Sequence, residues 1–170
     1  MSHRSVAGGG AANTRQASFR EGLPDPDLAG LYDYWAEKRG GRRMPSRKDI
    51  DPLAIPKFLP DLMLVDVLHD PLRFRYRLVG TRVAAASGED RTGQFFDEVA
   101  FLRNNPVVLE QYNSVVATGA PLHSLEPFNN YVSKTTYQVD RLLLPLSSDG
   151  ATVDMLMVCF HFKTGPYASR

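Results

Sequence analysis

The chain has 170 residues, of which 43% are hydrophobic and 23% are charged, and its formal net charge is +1. These values are typical of one globular domain with a sizeable core, and the near-neutral charge indicates no general attraction to nucleic acid or to an acidic membrane surface. The one cysteine, Cys159, excludes an internal disulfide and suits a reducing compartment. No apolar run approaches the ~20 residues of a membrane-spanning helix, and the first residues lack the apolar stretch of a signal peptide. We therefore expect a cytoplasmic protein without a membrane partner.

The N-terminal part divides at about residue 24. Residues 1–24 are rich in Gly, Ala and Ser without periodicity, which predicts a disordered tail. Residues 25–166 predict a single domain that starts with a helix over 25–39, because Asp25 suits the N-cap and Pro26 the first helical position. Four apolar residues on this helix form one stripe, which must be buried on the protein's own sheet or on a partner: Leu28, Leu31, Tyr32 and Trp35.

Two strands predict a hairpin after residue 61. Residues 62–68 and 73–79 flank a turn, and the second strand alternates charged with apolar side chains, as a strand with one buried face does. Pairing across the turn places Asp66 opposite Arg75, a favourable cross-strand pair. The same register predicts that one face is apolar, with Phe74, Tyr76 and Leu78 beside Met63, Val65 and Val67, while Arg73, Arg75 and Arg77 face away on an edge strand.

Short helices, a longer helix and three strands complete the pattern. Residues 81–86 and 95–103 predict short helical segments, and Asn105 as a cap before Pro106 predicts a longer helix that Gly119 ends. Strands are predicted over 122–128, 136–146 and 153–162, with a hairpin turn at Asp149-Gly150. Since the helices lie between two antiparallel blocks, the fold class is α+β: a five-stranded antiparallel sheet with crossing helices on one face and an extra N-terminal helix.

This order of elements and a set of short motifs resemble a known family. The motifs are Tyr34-Trp35, Pro45-Ser46-Arg47, Asp49-Ile50-Asp51-Pro52, the run FRYRLVGT from Phe74, Thr92-Gly93 and the run RLLLPL from Arg141. Together, over residues 31–162, they are similar to the alphaproteobacterial PAS-domain family first catalogued as a domain of unknown function. The resemblance implies a PAS-like fold, a bacterial source and a sensory or signalling role. It implies no agreed ligand and no catalytic residues.

The resemblance also implies a pocket between the sheet and the crossing helices, where PAS domains commonly hold small molecules. Register across the last hairpin puts even residues of the fourth strand on one face with odd residues of the fifth. We assign the pocket to that face because it joins apolar bulk to a few polar groups; the alternatives are a filled core, or the opposite face with Tyr137, Arg141 and Phe160. A buried Asp140 would need a partner such as His161. The candidate pocket residues are Phe74, Tyr76, Tyr112, Gln138, Asp140, Leu142, Met155, Met157, Cys159 and His161.

Signatures of enzymes, metals and cofactors are missing from the sequence. It has no P-loop, no Gly-x-Ser-x-Gly, no His-Glu-x-x-His and no Cys-x-x-Cys. It also lacks the Asn-Cys-Arg motif of flavin-adduct photochemistry, and its histidines lie in no haem motif. We therefore expect no catalytic residue, no metal site and no bound cofactor, although an unidentified small molecule remains compatible with the fold.

A basic run over residues 38–48 contains six Lys or Arg residues and no acid. Contact with phosphates of nucleic acid is one interpretation. No aromatic residue interleaves with the charges and no reading helix follows them, so we favour a solvated, partly structural loop and expect no nucleic-acid partner.

These observations favour a stand-alone sensory module that acts through protein–protein contact, since the chain is too short for a separate output domain. We expect a homodimer in which the N-terminal stripe takes part, and a signalling partner that the sequence does not identify. The alternatives are a phosphate- or nucleic-acid-binding module that uses residues 38–48, and a small enzyme that works in the sheet pocket.

Overall fold

The computed structural model describes residues 9–130 and 132–168. Its α-helices are α1 (Gly9–Glu21), α2 (Pro26–Arg39), α3 (Thr81–Ser87), α4 (Ala100–Asn104) and α5 (Pro106–Thr118). Its strands are β1 (Leu62–Leu68), β2 (Arg73–Val79), β3 (Leu122–Asn129), β4 (Thr136–Leu146) and β5 (Met155–Phe162). Single turns of 3-10 helix cover Arg47–Asp49, Pro52–Ala54 and Phe96–Glu98, and a longer one covers Pro56–Asp61, so the Pro-punctuated stretch before β1 is less irregular than its composition suggests.

The strands form one antiparallel sheet in the order β2-β1-β5-β4-β3. The predicted fold class is confirmed, and β2 lies at an edge as expected. The predicted register of the last hairpin is also confirmed, because Asp140 pairs with His161 and Leu142 with Cys159. The hairpin turn is longer than Asp149-Gly150 alone, because the Asp149 carboxylate accepts hydrogen bonds from two backbone amides of the loop before β5.

Both faces of the central strands are covered. We call the face toward α3, α4 and α5 the inner face, and the face toward α2 the outer face. On the inner face, Arg141 of β4 donates a hydrogen bond of 2.8 Å to Gln111 of α5. On the outer face, His161 of β5 lies 3.3 Å from Asp25 at the start of α2. As a result, every residue of β4 from Val139 to Leu146 is buried, whichever face of the sheet its side chain points to.

The N-terminal helix α2 packs on its own sheet. The predicted cap is confirmed, because the Asp25 carboxylate accepts hydrogen bonds from the amides of Asp27 and Leu28. The indole Nε1 of Trp35 donates to the carbonyl of Pro145 at 2.9 Å. All four stripe residues, Leu28, Leu31, Tyr32 and Trp35, are at most 4% exposed. Burial on the protein's own sheet is therefore the correct alternative, and these residues are not available as a partner interface.

Helix α1 corrects the expectation of a disordered tail over residues 9–21; residues 1–8 lie outside the described part of the chain. Arg20 forms a bidentate ion pair with Asp33 of α2, with distances of 2.9 to 3.0 Å. The rings of Phe19 and Tyr32 are 5.2 Å apart. The amino-acid composition does not predict this helix, because its stability comes from contacts with α2 and not from its own residues.

The first hairpin keeps most of its predicted register. Asp66 pairs with Arg75 as expected, and the two side chains are 2.8 Å apart. A β-bulge then shifts the pairing, so that Leu64 lies opposite Leu78. The prediction that Leu78 faces the core is wrong, because the extra residue turns it to the outer face, where it is 46% exposed.

Several pieces of the motif set occupy packing positions. A Cβ on Gly80 would lie 2.4 Å from the carbonyl oxygen of Pro60, so a glycine is required where β2 passes the 3-10 helix. Ser46 and Asp49 form a capping box in which the Asp49 carboxylate accepts from both the amide and the hydroxyl of Ser46. The predicted cap at Asn105 differs: its side chain donates to the carbonyl of Phe101 instead of capping α5.

Candidate ligand-binding site

A small cavity lies between the inner face of the sheet and helices α3, α4 and α5. Its volume is about 80 Å³. The wall is mainly apolar and aromatic, with few polar side chains, which is the usual lining of a small-molecule site. Residues that line it include Met63, Tyr76, Val83, Phe96, Tyr112 and Phe160, together with the charged Glu89, Arg91 and Arg141.

Aromatic rings form one wall of this inner cavity. The ring of Phe96 lies 4.6 Å from that of Tyr76 and 5.1 Å from that of Tyr112. Phe74 supports them from the side, at 5.5 Å from Phe96 and 5.6 Å from Tyr112. Burial raises the pKa of Tyr112 to about 12, so its hydroxyl is a neutral donor throughout the physiological range.

Arg141 brings a positive charge to the inner cavity. The residue is only 6% exposed. Its Nη2 donates to Oε1 of Gln111, and Gln111 Nε2 in turn donates to the carboxylate of Glu126 at 2.8 Å. Within the described part of the chain, the buried Nε of Arg141 has no hydrogen-bond partner. A buried guanidinium with an unused donor is costly unless another group accepts from it.

The size of the inner cavity limits what it can hold as it stands. A site for one water needs roughly 10–15 Å³ on this scale, so about 80 Å³ corresponds to a few small groups. Pockets for drug-sized ligands are roughly 300–1,000 Å³. The cavity therefore fits a ligand of a few heavy atoms.

The predicted pocket face is corrected by this geometry. Tyr76 and Tyr112 line the inner cavity as expected, and Phe74 lies beside it. The alternative set is supported by Arg141 and Phe160, which both line the cavity, while Tyr137 packs against Phe162 and Tyr167. The remaining candidates are on the outer face or in solvent: Leu142, Met155, Met157, Cys159 and His161 lie on the outer face, Asp140 lies there toward β3, and Gln138 is exposed.

A second space, the outer cleft, lies between the first turn of α2, the 3-10 helix Pro56–Asp61 and the end of β5. Its volume is about 400 Å³. Arg82 Nη1 lies 2.6 Å from Oδ2 of Asp61, and both side chains line the cleft. Burial raises the pKa of Asp61, against the lowering effects of Arg82 and His161. Its outer rim carries Lys57, whose ammonium is 2.6 Å from the Asp27 carboxylate.

Cys159 lines the outer cleft but is not a reactive thiol. It is 3% exposed, and burial, followed by the negative charge of Asp61, raises its pKa well above the usual range. Since the thiolate is the nucleophile, a thiol of this kind stays unreactive at neutral pH.

Asp140 finds a different partner from the one expected. His123 Nε2 lies 2.9 Å from one carboxylate oxygen of Asp140, and Lys163 Nζ lies 3.3 Å from the other. His161, the partner suggested by register, pairs instead with Asp25. The predicted register is right, yet the contact differs because β3 and the end of β5 offer closer groups.

The basic run over residues 38–48 is largely engaged within the fold. Arg42 donates to the carbonyls of Lys38 and Arg39 and pairs with Asp49 at 3.0 Å. Arg43 donates to the carbonyl of Thr118, and Arg47 to that of Ile50. These contacts tie α2, the following loop and α5 together, which agrees with the structural interpretation.

Sequence reasoning missed several residues of the inner cavity. Phe96, Glu89 and Arg91 come from the segment between β2 and α4, where no periodic pattern points to a face. The sequence signal that did point to this wall was the alternation in β2, which correctly assigned Tyr76, and the ring of Phe96 lies 4.6 Å from that of Tyr76.

The described residues offer neither a metal-binding cluster nor a membrane-spanning helix. No group of three or more His, Cys, Asp or Glu side chains is arranged to hold a metal ion in the described ranges. No helix in the same ranges is long and apolar enough to cross a membrane.

The sheet order, the helices across its inner face and the cavity between them define a PAS-like fold. Among solved structures, one match supports this fold at low sequence identity. VqmA bound to DPO matches with a TM-score of 0.50 and 14% identity, over 65% of this chain and 56% of that chain. A LOV protein of Rhodobacter sphaeroides matches with a TM-score of 0.48 and 14% identity, over 66% and 68% of the two chains. A sensory box sensor histidine kinase from Vibrio cholerae matches with a TM-score of 0.45 and 16% identity, over 66% and 91%.

Comparison with curated protein sequences gives no match. The family is nevertheless established, because a family model described as PAS domain matches residues 25–160. The chain belongs to this PAS domain family.

Proposed function

We propose that this protein is a sensory PAS module that binds a small anionic ligand, such as a short carboxylate, in the inner cavity. The observation that carries the proposal is the buried Arg141 guanidinium, whose Nε has no partner among the described residues while the residue lines the cavity. A carboxylate would accept from this Nε and cancel the buried charge, and charge-assisted hydrogen bonds of this kind are the strong ones.

The charge balance of the inner cavity supports an anion. Glu89 and Arg91 lie 2.5 Å apart and offset each other, which leaves Arg141 as the excess charge among the lining side chains of the described ranges. The Tyr112 hydroxyl, neutral because of its raised pKa, is a second donor on the wall. The aromatic wall would pack on the apolar part of the ligand.

The proposed output is contact with a signalling protein in the cytoplasm, within a homodimer. The dimer surface must lie outside the α2 stripe, because the stripe is buried. Light scattering at tens of micromolar tests the dimer, and monomer mass alone would reject it.

A ligand screen tests the binding proposal. Thermal unfolding of the full chain is followed with acetate, propionate, lactate and pyruvate, each against its neutral amide or alcohol. A ligand that binds only the native state stabilises it by about 2.7 kcal/mol at 100 times its Kd. We expect a carboxylate, and not its neutral counterpart, to raise the unfolding temperature.

The Arg141→Met variant makes the screen specific. It removes the buried charge but keeps a long apolar side chain, so we expect the unliganded protein to keep or gain stability while the carboxylate effect disappears. Arg77→Met is the matched control, because Arg77 lies on the outer face with a 61% exposed side chain. A carboxylate effect that survives in Arg141→Met, or no effect of any carboxylate on the native protein, would reject the proposal.

A phosphate- or nucleic-acid-binding role for residues 38–48 is less well supported, because the Arg42, Arg43 and Arg47 guanidinium groups already bind carbonyl groups of the fold. For a small enzyme, the inner cavity offers an inert Tyr112 and a buried arginine, but no observation there favours a nucleophile with an adjacent base.

A further inference from the structure

The outer cleft differs from the inner cavity in position, size and charge, and the function proposed above does not use it. It lies at the end of β5, between the first turn of α2, the 3-10 helix Pro56–Asp61 and Arg82 of α3, and Phe160 lines both spaces. Its volume, about 400 Å³, lies within the range of roughly 300–1,000 Å³ of ordinary ligand sites. Apolar surface from Leu28, Phe58 and Phe160 forms part of the wall.

Asp61 lines this cleft, and one of its carboxylate oxygens has no donor among the described residues. The residue is 7% exposed, and its Oδ2 is bound by Arg82. Its other oxygen, Oδ1, is buried and accepts no hydrogen bond from any residue in the described ranges. A buried carboxylate oxygen without a donor is costly, and the cost disappears when a donor from a ligand reaches it.

The charges around the outer cleft add up to a negative site. Among the lining residues, Asp27 and Asp61 balance Lys57 and Arg82, and Asp25, which lies beside the lining residue His161, adds one negative charge. Two of the acids lie at the N-terminus of α2, where they offset the positive end of the helix dipole. Nε2 of His161, which also lines the cleft, lies 3.3 Å from Oδ2 of Asp25.

We infer that the outer cleft is a second ligand site, for a small organic cation whose ammonium group donates to Oδ1 of Asp61. The apolar part of the wall, formed by Leu28 and Phe58, would take the carbon skeleton. Because the cleft lies between α2 and the sheet, an occupant contacts the N-terminal helix and the sheet together and holds them in one arrangement.

Nuclear magnetic resonance titration of the uniformly labelled full chain tests this inference. The probes are ethylamine, ethanolamine and 1,4-diaminobutane as their hydrochlorides, with 1,4-butanediol as the neutral counterpart and sodium chloride at equal ionic strength as the salt control. We expect saturable shifts at Leu28, Asp61 and His161 with at least one amine, and none with the diol or with salt.

Two variants with opposite expected effects make the test specific. Asp61→Asn removes the charged acceptor and should weaken amine binding about ten- to hundredfold. Lys57→Gln removes a like charge at the rim and should tighten binding about two- to fivefold. Asp97→Asn is the matched control, since it breaks an exposed Asp–Arg pair with Arg73 elsewhere and should leave binding unchanged.

Several results would overturn the inference. They are no saturable shift with any amine, shifts that salt reproduces, or equal affinity in Asp61→Asn and Asp97→Asn. If Asp61→Asn fails to fold, Lys57→Gln decides alone, and unchanged or weaker amine binding in that variant rejects the site. Loss of carboxylate binding in Arg141→Met would leave this test untouched, because that residue lies on the inner face.

Discussion

The two faces of the sheet show how one set of strands supports two different environments. The inner face, under α3 to α5, holds a small aromatic cavity of about 80 Å³ with one excess positive charge from Arg141. The outer face, under α2, holds a packed apolar centre and, at one end, a cleft of about 400 Å³ with an excess of acids. β4 and β5 contribute to both environments, because consecutive side chains of a strand point to opposite faces of the sheet.

The comparison teaches that α2 is part of the core and not an accessory. Its stripe residues are at most 4% exposed, within the range of the buried strand residues, and the Trp35 indole donates to the Pro145 carbonyl of the central sheet. The cover does not reach β2, where Arg73, Arg75 and Arg77 lie on the outer side and carry 38%, 39% and 61% side-chain exposure. The outer face is therefore shielded from solvent over β4 and β5 and accessible to solvent over β2.

The largest expected effect comes from emptying the space under α2. We expect Trp35→Ala to lower the free energy of unfolding by about 3–5 kcal/mol, because a buried aromatic side chain and its hydrogen bond are both lost. Urea denaturation measures the change. Leu53→Ala, at an 86% exposed position, is the control and should change it by less than about 0.5 kcal/mol. A loss below about 1 kcal/mol in Trp35→Ala would show that α2 is only loosely attached.

The next largest effect should come from larger side chains, whose cost in stability should differ between the two faces of the sheet. Met157 is 1% exposed on the outer face, so Met157→Trp should overpack it and cost about 1–3 kcal/mol. Val108 borders the inner cavity, so Val108→Leu extends into free volume and should cost less than about 1 kcal/mol. Equal costs in the two variants, measured by the same denaturation, would contradict the difference in packing.

This difference between covered and open regions also explains what the sequence predicted. In β2 one face meets water, so charged and apolar residues alternate and the orientations of Phe74 and Tyr76 were correctly predicted. In β4 both faces are covered, and the run Leu142 to Leu146 is buried without alternation. The turn predicted the register of the hairpin. A uniformly apolar run does not show whether its odd-numbered or its even-numbered residues face α5.

The site was predicted less completely than the fold for the same reason. Polar residues on the outer face, such as Asp140 and His161, suggested a pocket, but they pair with His123 and Asp25. Arg141 was available only as part of the alternative set, because its unused Nε is visible only in three dimensions. The bulge that turns Leu78 outward likewise follows from tertiary contacts and not from the alternating pattern.

Two acids with opposite pKa shifts give a contrast in pH dependence. Burial raises the pKa of Asp61, whereas Arg73 lowers the pKa of Asp97. For Asp61 the folded state holds its proton more tightly than the unfolded state, so its contribution to stability falls as pH rises above the unfolded value of 3.8. For Asp97 the contribution is present above the same unfolded value and is lost as pH falls through its lower folded pKa.

Denaturation series at several pH values from acid to neutral measure this contrast. Relative to the native sequence, Asp61→Asn should gain stability as pH rises above the unfolded pKa, and Asp97→Asn should lose it. Slopes of the same sign for the two variants would contradict the assignment of Asp61 as a buried carboxylate and Asp97 as an exposed, paired one.

The smallest expected effect concerns the part of the outer face that α2 leaves open. Arg75 and Asp66 form a cross-strand pair at 2.8 Å, with 39% and 16% side-chain exposure, while Arg77 reaches Asp66 only at 4.0 Å. A double-mutant cycle with Arg75→Ala and Asp66→Ala should give a coupling of about 0.2–1 kcal/mol, as exposed pairs do. The coupling of Arg77→Ala with Asp66→Ala should be smaller. Since water reaches this pair, about 1 M salt should reduce its coupling, and a coupling that is large and insensitive to salt would mean that the outer face of the hairpin is covered as well.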